Sequence, residues 1–229
     1  MVEHPENLDD DVALDPAASA ALIAAQRARV LEETDVDARL LFGVWGVAWL
    51  IGFGVLYAVA GDRPLVGWGP GVAGTVFAGL LIAAGVVTAV HTTRRTAGVH
   101  GDSAVQGAMY GWSWFLGFAG VFALASSLTA AGAEPELIEI AMTIASPIVV
   151  GVLYMAGGAI WRDRTQFALG AWILVVTVAA ALAGMPYMLA VMSLAGGGGM
   201  LVAGVLVAAR ARRSRDDAGD PDTVASGAL

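Results

Sequence analysis

The chain has 229 residues, 58% of them apolar and 14% charged, with 30 glycines, no cysteine and a mean hydropathy of +0.73. A soluble domain carries about a quarter charged residues, and here the apolar residues run together in stretches of about 20, the length that crosses a roughly 30 Å hydrocarbon core as helix. A soluble globular protein is therefore excluded. All twelve cations are arginine and twenty acids bring the net charge to −8, which argues against nucleic acid as a partner, because phosphate binding needs clustered cations in excess. Without cysteine there are no disulfides, thiolate metal sites or thiol nucleophiles.

The segment Met1 to Asp15 holds six acids and too little apolar surface to fold alone, so it reads as disordered. It lacks the basic start and short apolar region of a secretory signal. Asp15 before Pro16 is a helix start signal, and a helix over Pro16 to Glu33 would set Ala17, Ala21, Ala24, Ala28 and Leu31 on one weakly apolar side. That side suits either a solvated helix or one lying on a membrane or a partner. Thr34 and Asp37 then resemble a capping box opening the first span.

Six spans follow, over 40–60, 69–90, 106–131, 137–161, 166–184 and 186–209. They read as helices, since a lipid-exposed segment must satisfy its own backbone hydrogen bonds and these runs are too long and non-alternating for barrel strands. The expected architecture is an all-α polytopic membrane protein. A tail and short helix occupy residues 1–38, the membrane domain 39–210 and a disordered tail 211–229. Eleven of the twelve arginines fall before span 1, between spans 2 and 3, between spans 4 and 5, and after span 6, against Arg63 alone on the other side. By the positive-inside rule both termini are cytoplasmic, and the membrane is expected to be the plasma membrane. Met185 and Pro186 form a tight hairpin with Pro186 opening span 6. His91 and His100, nine apart in the longest inner loop, read as solvated side chains without a third metal ligand nearby.

Aromatic residues gather at span ends: Trp45, Trp49, Tyr110, Trp112, Trp114, Tyr154, Trp161 and Phe167 at the inner side, Tyr57, Trp68 and Tyr187 at the outer. This is the distribution of interfacial belts. In span 3, Ser113, Gly117, Gly120, Ala123 and Ser127 recur at steps of three and four, a stripe that would let a neighbouring helix approach closely. Span 1 repeats the idea with Gly43, Gly46 and Gly54. "GVLY" occurs in both span 1 and span 4, compatible with an inverted three-plus-three repeat.

Two places break helix rules in mid-span. Pro147 removes a backbone hydrogen bond from span 4, flanked by Thr143 and Ser146. Gly196, Gly197, Gly198 and Gly199 place four consecutive glycines in span 6, at a cost of about 3 to 4 kcal/mol in helix propensity. Either very close packing or a hinge lining a substrate site accounts for them. Glu139 is the acid inside a span, near its outer end beside Glu134 and Glu136. Met185, Met188 and Met192 share a side of span 6 and read as packing.

Gly107 to Gly120 ("GAMYGWSWFLGFAG"), Ala156 to Trp172 ("AGGAIWRDRTQFALGAW") and Leu194 to Gly199 ("LAGGGG") resemble segments of a group of six-span membrane proteins from high-GC actinobacterial genomes. That resemblance implies a transporter-like membrane protein and brings no substrate, cofactor or catalytic residue. In topology the chain is also similar to type-2 permease subunits of ATP-driven exporters, but the turn at Met185 and Pro186 has no room for their re-entrant helices.

The expected function is a permease-like transporter or transporter subunit for a small solute or lipid. It would work in the lipid bilayer with a cytoplasmic ATPase or regulator, or as a homo-oligomer. A membrane anchor or sensor regulating a cytoplasmic partner is the alternative; no enzyme is expected and no cofactor is implied. The cysteine-free background makes orientation testable: Gly61→Cys or Ala133→Cys should react with an impermeant maleimide from outside, while Gly101→Cys and Ser214→Cys should not. External labelling at Ser214→Cys would reverse the orientation.

Overall fold

The computed structural model describes residue 15 and residues 17–22, 24–26, 37–61, 63–97 and 101–218, with backbone alone for 214–218. It is all-α, and six spans are long and apolar enough to cross a membrane. They are α1 (Ala38–Val59), α2 (Pro70–Thr96), α3 (Asp102–Ala130), α4 (Pro135–Trp161), α5 (Arg164–Ala183) and a composite sixth span. The sixth consists of α6 (Tyr187–Val191), a π-helical segment (Met192–Gly197) and α7 (Gly198–Ala218). The chain is a multi-pass integral membrane protein. Residues 17–22 and 24–26 are helical, as the Asp15 signal predicts; the rest of the N-terminal tail and helix, Thr34 and His100 lie outside the described residues.

Helix ends follow local chemistry, and several differ from the sequence reading. The cap of α1 is Asp37 itself, whose carboxylate accepts from the amides of Arg39 at 3.0 Å and Leu40 at 3.4 Å. The Arg39 guanidinium closes on the same carboxylate at 2.9 Å and holds the Asp37 carboxyl below its ordinary range. Helix α2 continues to Thr96 rather than stopping at 90, with Arg94 and Arg95 in its last turn where they oppose the negative end of the helix dipole. That extension carries His91 out of the expected loop: its Nε2 accepts the Asp37 amide at 3.1 Å and ties α2 to the start of α1. Asp163 starts α5 early by accepting from Thr165 at 2.8 Å and Gln166 at 3.1 Å. Pro186 takes the N-cap position of α6 rather than its first turn. The expected disordered tail from 211 is helical through Ala218.

The bundle is built around α1, the sixth span, α5 and α4. The sixth span packs on both α1 and α5, and α4 packs on α5; α2 lies outside against α1, and α3 lies outside chiefly against α4, with Gln166 of α5 donating to its Tyr110 hydroxyl at 3.5 Å. The core between them is Phe42, Trp49, Phe53, Ile173, Val176, Met188, Leu189, Met192 and Met200. Met188 and Met192 are therefore packing residues, and Trp49 is a core residue rather than part of an aromatic belt. The three-plus-three repeat is not followed, because α5 packs on the sixth span whereas its counterpart α2 does not pack on α3.

The tightest hairpin is α4 with α5, joined through Arg162 and Asp163 alone, with Arg162 in the left-handed region at φ 57°. Its seam is made of glycines. A Cβ on Gly170 would lie 2.6 Å from the Gly151 carbonyl oxygen and 2.6 Å from the Met155 nitrogen, and one on Gly158 would lie 2.5 Å from the Phe167 nitrogen. Backbone at this range leaves no room for a methyl group and gives the close contact that substitutes for a hydrophobic drive between helices in lipid. Gly170→Ala is expected to lower the melting temperature in mild detergent by the equivalent of about 1 to 3 kcal/mol of overpacking. Gly120→Ala, which enters open space, should melt at or slightly above the wild type. Equal melting of the two variants would show that the seam yields.

Candidate functional site at the break in the sixth span

The glycines of the sixth span do not act alike, because each faces a different neighbour. Gly197 lies against the backbone of α1: a Cβ there would collide with the Leu50 nitrogen, lie 2.8 Å from the Leu50 Cα and 2.9 Å from the Gly46 carbonyl oxygen. Gly46 answers from the other side, its own Cβ position being 3.0 Å from the Gly197 carbonyl oxygen. A Cβ on Gly196 would lie 3.1 Å from the Trp49 ring. Gly199 abuts the indole nitrogen of Trp172, whereas Gly198 has nothing within 4 Å. Close packing thus explains three of the four, and Gly198 continues the run without a contact to explain it.

The chain reaches this approach by changing helix type. Between Met192 and Gly197 the span is π-helical, and the Gly198 amide reaches back to the carbonyls of Ser193, Leu194 and Ala195. One extra residue per turn turns the glycine face onto α1, and such single-turn π segments are rare and concentrate where helices do work. Two side chains brace it. Trp172 Nε1 on α5 donates to the Ala195 carbonyl at 2.9 Å, and Ser193 Oγ donates to the Leu50 carbonyl at 2.6 Å. Leu50 lies nine residues before the end of α1 and Trp172 eleven before the end of α5. At about 1.5 Å per residue the break sits roughly 13 to 17 Å from the end opposite the arginine-rich one, near the middle of a 30 Å core. From there Trp49, Phe53 and Phe77 carry ring contacts outward to α2, with centroids 5.5 and 4.7 Å apart.

The second expected half of the site stands elsewhere. Thr143 and Pro147 are buried and Ser146 is half-buried on α4, yet α5 packs between α4 and the sixth span. The two breaks are therefore not the facing walls of one cleft. Trp172 on α5 is the element that touches the sixth-span break, and sequence reasoning missed it because its partner is a backbone carbonyl, which leaves no mark in the residue pattern. Glu139 is half-buried at the outer part of α4.

The stripe on α3 is corrected as well. Gly117 does pack, its Cβ position being 2.8 Å from Val149, but Gly120 has nothing within 4 Å, and Ser113, Ala123 and Ser127 are exposed. Ser113 Oγ is spent on its own helix, donating to the Met109 carbonyl at 3.0 Å. Regular spacing placed these residues on one side of the helix, but α4 lies to one flank of that side. At the same end of α4, Tyr110 donates from its hydroxyl to the Leu153 carbonyl at 2.8 Å and stacks edge-on to Trp161 at 4.8 Å, so Tyr110 joins helices as well as marking an interface.

Compared with protein-family models, curated proteins and solved structures, the chain matches none.

Gly197→Ala and Gly198→Ala, neighbours in sequence, should part company. The first is expected to destabilise by about 1 to 3 kcal/mol as the methyl meets backbone. The second should be neutral or stabilising by up to about 1 kcal/mol through helix propensity. Detergent melting curves of both variants decide the point, and like behaviour would mean the π segment repacks freely.

Proposed function

We propose that this membrane protein is a permease-like transporter or transporter subunit for a small solute or lipid, and that the break in the sixth span is its moving part. The observation that supports the reading is the bracing of Ala195 and Leu50. Their carbonyls accept from Trp172 and Ser193 side chains, so the irregular backbone is held by bonds that can be exchanged by rotamer changes without unravelling a helix. Broken helices near mid-membrane are how transporters present backbone groups to a solute. In this reading both termini are cytoplasmic, the membrane is the plasma membrane, the protein has no catalytic role, and coupling to an ATPase or regulator occurs at the arginine-rich end.

A second reading, an anchor or sensor for a cytoplasmic partner, draws on that same end. Arg94, Arg95, Arg162, Arg164, Arg212 and Arg213 are all exposed there, a basic surface open to an acidic partner or to anionic headgroups.

Water access separates the two. In a transporter the break must meet water from one side during its cycle, so Ala195→Cys, half-buried in the core, should react with an impermeant maleimide in sealed vesicles. Leu194→Cys, 71% exposed and facing outward from the bundle, should stay unlabelled in hydrocarbon. No labelling of Ala195→Cys from either side, with the variant folded, would favour the anchor.

A further inference from the structure

The outer surface between α3 and α4 carries a groove of about 610 Å³ at the arginine-rich end of the bundle. Its mouth is Asp102 and Ile160, its middle Gln106 and Met109, and its inner end Ser113 and Leu153. Membrane depth grades this lining. Helix α3 has 29 residues, about 43 Å at 1.5 Å per residue, and so overhangs a 30 Å core by roughly 6 to 7 Å at each end. Asp102 and Gln106 therefore stand at headgroup level, whereas Met109, Ser113 and Leu153 stand beside acyl chains.

The polar groups of the inner part are already occupied. The Tyr110 hydroxyl donates to Leu153 and the Ser113 hydroxyl to Met109, so the deep end offers an apolar trough. At the mouth the Asp102 carboxylate is exposed and engaged in no ion pair among the described residues. The lining holds a carboxylate and no cation, although arginines crowd this end of the bundle. A water-soluble solute would gain nothing from a trough open to hydrocarbon, and an anionic headgroup would meet the wrong charge.

We infer that this groove is a binding site for an aminophospholipid, phosphatidylethanolamine, whose primary ammonium pairs with Asp102 beside the Gln106 amide while one acyl chain lies in the trough towards Leu153. The site is separate from the break in the sixth span and does not rest on the transport reading. The lipid is held at the rim of α3, a helix that packs chiefly on α4, and extends the packing that α4 gives it.

The test uses the full chain in mild detergent, exposed to equimolar phosphatidylethanolamine and phosphatidylglycerol of identical acyl chains and read by native mass spectrometry. The wild type should retain phosphatidylethanolamine over phosphatidylglycerol by about twofold to fivefold, the size of one partly exposed charge pair. Asp102→Asn, a substitution at an exposed residue, should bring that ratio close to one with the fold intact by circular dichroism. Ala156→Trp, which fills the trough from α4, should lower retention of both lipids; should it not fold, Asp102→Asn decides alone. Equal retention by the wild type, an unchanged ratio in Asp102→Asn, or full retention by a folded Ala156→Trp would each overturn the assignment.

Discussion

The approach of the sixth span to α1 at Gly46, Leu50 and Gly197 is the contact on which the rest of the bundle depends. Lipid is as apolar as leucine, so helices in a membrane gain little by hiding side chains and must gain from fit. Here the fit is backbone against backbone, and it draws in everything next to it. Trp49 closes over Gly196, Ser193 caps the Leu50 carbonyl, and Met192 and Met200 fill the core on either side of the crossing. The glycines cost helix propensity and the π turn disturbs the hydrogen-bond ladder. Close contact and two side-chain hydrogen bonds offset both.

The same logic organises the α4–α5 hairpin by a different route. Gly151, Gly158 and Gly170 bring those two helices together through a connection of two residues, with Asp163 capping one helix just after Arg162 leaves the other. Trp172, on the far side of α5, then links this hairpin to the sixth span through the Ala195 carbonyl. Helix α5 is thus a mediator, sealed by glycine on one face and by a tryptophan hydrogen bond on another. The outer helices contrast with it: among their described residues, α2 buries Ala73 and Ala84 and α3 buries Val121, so most of their side chains meet lipid.

The six spans and their all-helical character were legible because the constraint behind them is one-dimensional: enough consecutive apolar residues to cross a fixed thickness. Span ends were less so, since His91 and Asp163 act through single hydrogen bonds that hydropathy does not register. The unusual run from Gly196 to Gly199 was visible, and it does mark the tightest crossing with α1. Its partner was not visible, because contact between spans depends on how helices are arranged around one another. Pro147 broke a helix rule just as plainly and yet lies on the other side of α5. The stripe from Ser113 to Ser127 shows the same limit: periodicity states which residues share a side, not what lies opposite it. Gly151, Gly158 and Gly170 carried the real seam at spacings that stood out less in a glycine-rich chain.

The hydrogen bond from Ser193 to Leu50 joins residues 143 positions apart, and this separation bears on how the protein is made. A chain inserted from its N-terminus holds α1 in the bilayer with α2 as its neighbour while four further spans are synthesised, whereas α4 and α5 meet as soon as both have emerged. Local pairs form early and distant ones wait for the chain between them. Until the last span arrives, Gly46 and Leu50 of α1 lack the backbone they pack against, and Trp49 lacks the glycine it contacts, although Phe53 already meets Phe77 of α2. Assembly of the core is thus a terminal event, and a chain cut short before Met192 would possess five membrane helices without the element that unites them.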